Sequence, residues 1–197
     1  MTIQLGLTGS IGMGKSTTAG FFKEFGVPVW DADATVHEIY STGGAAVEVI
    51  GALAPSATKQ GFVDRSTLKS LIAQDKTLLG KIETAISPIL ATSRSDFLEK
   101  NKAAPLVLFD IPLLFETDAE TWLDYVVVVT APEEVQRARV LARKTMSDSV
   151  FETILARQMP DAEKRALADF VFDTSHGMDH TKQDVKTLID KLEQEDA

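Results

Sequence analysis

The chain has 197 residues, 44% of them hydrophobic, enough to bury one compact core carrying a smaller insertion and too many for disorder over most of its length. A formal charge of -9 and a pI near 4.8 exclude the broad basic face of nucleic-acid and membrane-surface binders, so an anionic ligand needs a local cluster of cations. The absence of cysteine excludes disulfides and thiolate metal sites, and with no basic leader or bilayer-length apolar run the expectation is a cytoplasmic protein, without nucleic-acid, membrane or obligate protein partners.

In chain order, Ile3, Leu5 and Leu7 alternate as in a strand, a glycine-rich turn follows, and residues 15–25 read as a helix with Phe21, Phe22 and Phe25 beneath it. Unbroken apolar runs at 27–30, 106–109, 125–129 and 170–172 read as four more buried strands. Such runs suit a parallel sheet covered on both faces, and the helical stretches between them predict a doubly wound α/β fold. Residues 34–104 hold no convincing central strand and read as a helical insertion. Leu68, Leu71 and Ile72 share one helical face there, and Leu79, Ile82, Ile86 and Ile89 stripe a second. Thr130 with Glu133, and Ser149 with Glu152, have capping-box spacing, which predicts helix starts at Thr130 and Ser149. Residues 184–195 close the chain as an amphipathic helix with Val185, Leu188, Ile189 and Leu192 inward. Trp30 and Trp122 read as packing residues. His176 and His180 have a spacing that can bind metal on a helix, but they flank Gly177 in a polar stretch and read as solvated surface.

Gly9, Ser10, Ile11, Gly12, Met13, Gly14, Lys15 and Ser16 spell the phosphate-binding P-loop, placed after the first strand and opening a helix. A random chain of this length meets that pattern on the order of once in a hundred or more. Glycines let backbone N–H groups turn inward around phosphate oxygens, and the helix adds the positive end of its dipole. Lys15 then reaches the β- and γ-phosphates and the Ser16 hydroxyl ligates Mg²⁺.

No Asp is followed three places later by Gly, and Asn101-Lys102 leads to Ala104 instead of Asp, so the switch and base-reading elements of a GTPase are missing. Asp110 ends a buried run but is followed by Ile111 where water-activating ATPases often carry Glu. A small-molecule kinase needs a carboxylate near the acceptor hydroxyl and cations around the phosphoryl group. Asp31 and Asp33 follow the second strand, at the sheet edge where ligands of such folds bind, although turn or cap roles are also open to them. Arg137, Arg139, Arg143 and Lys144 form a run without an acid, and Arg139 and Arg143 share a helical face suited to a lid over ATP.

As a set these residues resemble the dephospho-coenzyme A kinases almost end to end. The likeness is carried by Leu7 and Thr8 through Thr17, by Asp31-Ala32-Asp33 with His37, and by Asp110-Ile111-Pro112-Leu113-Leu114-Phe115-Glu116. It continues through Gln136, Arg139, Arg143, Gln158 and Ala168-Asp169. The resemblance implies a P-loop NTPase fold, a parallel five-stranded sheet with a nucleotide-binding core at 1–33, 105–139 and 159–197, a helical substrate domain at 34–104 and a helical lid at 140–158. It implies ATP-dependent phosphorylation of the ribose 3′-hydroxyl of dephospho-coenzyme A, the last step of coenzyme A synthesis, with Mg²⁺. Gly12, Met13, Gly14, Lys15, Ser16, Thr17, Arg139 and Arg143 would bind ATP; Lys15, Asp33 and Arg143 would carry the chemistry. His37, Pro112, Leu113, Leu114 and Glu116 would join Asp33 at the acceptor, and Ser16 and Asp110 would position the metal. Two departures stand out: Ser87-Pro88 replaces a His-Pro pair, and Thr174-Ser175 replaces an Asn-containing turn beside the adenine pocket. Two other readings stay open, a small P-loop kinase for a nucleoside, nucleotide or shikimate-like acceptor, and a nucleotide-binding switch without phosphotransfer.

Overall fold

In the computed structural model, which describes residues 2–144 and 146–195, the five apolar runs form one sheet of order β2-β5-β1-β6-β7 with every pair parallel. Its strands are β1 (Ile3–Thr8), β2 (Val29–Asp31), β5 (Leu106–Asp110), β6 (Tyr125–Thr130) and β7 (Phe170–Asp173). The short antiparallel pair β3 (Thr58–Lys59) and β4 (Phe62–Val63) stands apart from it. The chain divides into two compact units, one running up to Asp31 and resuming at Asn101, the other Ala32–Lys100.

In the first unit, β5 and all but the ends of β6 are buried because helices cover both faces, as their unbroken hydrophobicity requires. On one face Leu5, Leu7, Leu106, Leu108, Val127 and Val129 pack with Phe22 of α1 (Lys15–Glu24) and with Val185, Leu188 and Leu192 of α9 (Met178–Glu195). On the sheet's other side Phe109 meets Trp122 edge to face at 5.0 Å and Trp30 at 5.9 Å, so both tryptophans are packing residues.

The second unit has its own core. Helices α2 (Ala32–Ile39), α3 (Val47–Leu53), α4 (Arg65–Gln74) and α5 (Thr77–Lys100), with the β3–β4 pair, bury Ile39, Ile50, Val63, Leu68, Ile82 and Ile86. Asp64 caps α4 by accepting from the amides of Ser66 and Thr67, and these bonds with the Lys59 ammonium at 2.6 Å hold its carboxyl far below the ordinary range. Pro88 lies inside α5, which continues through it.

Several local expectations shift. Strand β2 includes Asp31, and the stripe on α5 begins at the buried Leu78, Leu79 being exposed. Phe25 is exposed beyond α1. Helix α6 (Glu133–Leu141) starts after Pro132, whose fixed φ suits a helix entry; Thr130 closes β6 and donates its hydroxyl to Asp161 at 2.9 Å. Helix α7 (Asp148–Leu155) is capped by Ser147, not Ser149. Helix α9 begins six residues before the expected 184, so His180 is helical while His176 sits in a preceding 3₁₀ turn; both are exposed, and no metal-binding cluster occurs among the described residues. No described helix is long and apolar enough to cross a membrane.

Phe22 is fully buried between α1 and the sheet. Phe22→Ala is expected to lower unfolding free energy by about 3–5 kcal/mol, read from urea denaturation, because the cavity cannot close around rigid strands.

Candidate active site

The turn that follows β1 approaches its neighbours too closely for side chains. A Cβ on Gly9 would lie 2.5 Å from Val129 Cγ2 and 2.7 Å from the Val129 carbonyl oxygen. Gly14 caps α1 at φ 96°, a left-handed conformation that disfavours any other residue. Gly14 brings no side chain to cap the first amides of α1, so the positive end of that helix is available to an anion beside Lys15, Ser16 and Thr17. Ser16 and Thr17 are exposed, while the Met13 side chain is buried in the core, leaving Met13 only its backbone for a ligand.

Three side chains from distant parts of the first unit hold this turn, one of them braced in turn by Arg139. Gln136 of α6 donates to the Ile11 carbonyl at 2.7 Å, and Gln158, beyond α7, accepts from the Ile11 amide at 3.1 Å. The Thr174 hydroxyl donates to the Met13 carbonyl at 2.8 Å, and both arms of Arg139 bond to Thr174, to its hydroxyl and its carbonyl, each at 2.7 Å. Sequence reasoning marks Thr174 only as a departure; the fold makes it the link between Arg139 and the phosphate-binding turn. A hydroxyl that joins residues so far apart leaves no periodic signal in the chain.

Beside the turn lies a cleft of about 360 Å³, lined by Gly12, Gly14, Thr17, Arg139, Arg143 and Thr174 among others. Arg143 lies past the end of α6 and is exposed, so the expected shared helical face is cut short, yet both arginines reach this cleft. Arg137 does not join them. It pairs with Asp148 and Glu152 and lies over Phe151, fastening α7 to α6. Lys144 is exposed.

The sheet register sets Leu7 beside Asp110 and Asp110 beside Asp31, bringing two carboxylates to one edge. Lys15 Nζ meets Asp110 Oδ1 at 2.6 Å, with the carboxylate side chain only 5% exposed. Pro112 accepts from the Thr8 hydroxyl at 3.1 Å, Leu113 is exposed, and Leu114 is fully buried and has no surface to offer a ligand. Glu116 is held by the Met159 amide at 2.7 Å and by Lys164 at 2.8 Å. Burial opposes its ionisation, but the Lys164 ammonium and the amides outweigh that and keep its carboxyl below the usual range. In the second unit, Asp33 and His37 lie one turn apart on the exposed face of α2.

An open helix N-terminus with its lysine at the carboxyl edge of a parallel sheet, flanked by arginines and lacking GTPase switch elements, defines a P-loop kinase. The family model described as dephospho-CoA kinase matches residues 3–180, and the chain belongs to that family. It is 53% identical over 192 residues to a dephospho-CoA kinase of Jannaschia sp. strain CCS1, covering 98% of each chain. A solved structure from Thermus thermophilus superposes with a TM-score of 0.86 at 32% identity over 97% of this chain and 98% of that one. The dephospho-CoA kinase of Campylobacter jejuni shares the fold with a TM-score of 0.73 at 22% identity, covering 100% of both chains.

Thr174→Val keeps the side-chain shape but strips Met13 and Arg139 of a shared partner. Nucleotide affinity, measured by titration calorimetry with ADP, is expected to fall about tenfold, the worth of roughly one buried hydrogen-bond link.

Proposed function

We propose that the chain transfers the γ-phosphoryl group of ATP to the ribose 3′-hydroxyl of dephospho-coenzyme A, giving coenzyme A and ADP in the cytoplasm. The observation that carries this reading is the open N-terminus of α1 beside Lys15, set against a cleft with Arg139 and Arg143, in a chain of this family.

The backbone from Gly12 to Thr17 cradles the phosphates, and Lys15 exchanges Asp110 for phosphate oxygens when ATP arrives. Arg143 is the mobile cation of a lid spanning residues 140–158 and spreads charge from the phosphoryl oxygens; Arg139, anchored to Thr174, walls the nucleotide cleft. Asp33 orients the acceptor hydroxyl and takes its proton as the oxygen attacks phosphorus in line with the departing ADP. On this reading His37 and Leu113 are acceptor contacts, while Pro112, bonded to Thr8, Leu114, which is buried, and Glu116, paired with Lys164, support the site without touching the ligand. Residues 34–104 serve as the acceptor-binding part.

The residues fit a magnesium ion. Mg²⁺ takes few protein oxygens alongside water and phosphate, and Ser16 offers an exposed hydroxyl in the first turn of α1 while Asp110 supplies a carboxylate at the adjoining strand end. When bound, the ion neutralises phosphate charge.

Incubation with ATP and dephospho-coenzyme A is expected to yield ADP and a product one phosphoryl group heavier by mass, released as coenzyme A. ADP release only with a nucleoside or shikimate-like acceptor, or with none, would overturn the assignment. Lys15→Ala is expected to lower kcat about a hundredfold or more. Because the substitution also breaks the Lys15–Asp110 ion pair, the folded fraction is read alongside by urea denaturation, and the loss in kcat is expected to persist after correction for it. Asp33→Asn should bind ATP normally and lose about a hundredfold in kcat, whereas equal loss in Asp31→Asn alone would move the role to Asp31.

A further inference from the structure

Lys164 of α8 (Asp161–Leu167) is 0% exposed, the one buried cation among the described residues of an acidic chain. An ammonium in that position costs several kcal/mol of lost hydration unless paired, on the order of the desolvation penalty for any buried ion. Its counterion is Glu116, at 2.8 Å to Oε1, and the same oxygen accepts from the Met159 amide at 2.7 Å. Among the described residues, Glu116 Oε2 and Lys164 Nζ are both buried without a hydrogen bond, so the two groups are joined by charge at 2.8 Å, with no hydrogen bond on Lys164 to replace it. Lys164 therefore fixes the carboxylate that captures Met159.

The residue before Met159 is Gln158, whose Oε1 accepts from the Ile11 amide at 3.1 Å. Two consecutive residues thus clamp in two directions: Gln158 to the turn after β1, Met159 to the segment after β5. Gln136 donates to the Ile11 carbonyl at 2.7 Å, so the two successive peptide units that meet at Ile11 are each gripped, one by its N–H and the next by its C=O. Ile11 immediately precedes Gly12, which has φ 81°, and Gly14 follows two residues later at φ 96°, so the orientation of the peptide units at Ile11 governs the path of the amides that follow.

We propose that Lys164 and Glu116 are positioning residues for nucleotide binding: their buried ion pair seats the Gln158–Met159 segment, and Gln158 in turn holds the P-loop in its phosphate-binding shape. The inference rests on reading that loop as the nucleotide site, and it is independent of which acceptor the enzyme uses. A pair serving stability alone would be replaceable by apolar residues of similar size with little loss. A pair serving position is not, because the Met159 amide needs an acceptor.

The test compares two double variants with the same charge, Glu116→Gln/Lys164→Met, which keeps an amide oxygen for Met159, and Glu116→Leu/Lys164→Met, which does not. Amide hydrogen exchange at Ile11 and ADP affinity by calorimetry are measured in both. Relative to the Gln variant, the Leu variant is expected to exchange about threefold or more faster at Ile11 and to bind ADP about threefold or more weakly. A smaller difference in either readout overturns the inference. Should the Leu variant fail to fold, Glu116→Met/Lys164→Met takes its place in the same comparison. ADP that binds normally to a wild-type chain lacking activity on dephospho-coenzyme A would defeat the acceptor assignment and leave this comparison decisive for the positioning role.

Discussion

Parallel strands send all their carboxyl ends to one edge of the sheet, and the turns that follow must be built there. Strand β1, with partners on both sides, occupies the middle of that edge, so its turn is hemmed in by β6, by α6 and by the segment after β7. The crowding explains the glycines. Gly9 passes against the Val129 carbonyl with no room for a Cβ, and Gly14 lies close to Thr174 in a left-handed conformation that disfavours one. Backbone amides can face an anion only because the backbone itself lies this close to its supports.

The same edge concentrates charge that the composition hides. A chain with net charge -9 still gathers Lys15, Arg139 and Arg143 around one turn, and it restrains them differently. Lys15 rests on a nearly buried carboxylate, Arg139 is fixed by two bonds to Thr174, and Arg143 is exposed. A guanidinium with both arms occupied is held in place, whereas that of Arg143 faces solvent at the cleft. Arg137, next in the basic run, is spent on Asp148 and Glu152 instead. Three arginines of one basic run are therefore divided by what each one meets in three dimensions.

Much of this was legible from the order of residues. The P-loop spacing, the five apolar runs and the helical insertion each follow from local periodicity, and the structure places all five runs in one parallel sheet. Misreadings cluster at element ends. Thr130 and Glu133 have the spacing of a capping box, but Thr130 is drawn into β6 and bonds Asp161, so Pro132 opens the helix. Leu78 and Leu79 are equally apolar, and only packing in the second unit decides that Leu78 is the buried one. Leu114 and Glu116 belong to a motif linked to the acceptor, yet one is core and the other a counterion.

The amino-acid sequence by itself determined the phosphate-binding turn, the kind of sheet that carries it and the family, because each depends on residues adjacent in the chain or on a regular repeat. Tertiary structure alone decided which distant side chains hold that turn: Gln136, Gln158 and Thr174, with Lys164 acting through Glu116. Such partners are brought together by the crossing of helices over a sheet. Their separations, up to 161 residues between Met13 and Thr174, follow no period that a linear reading can detect.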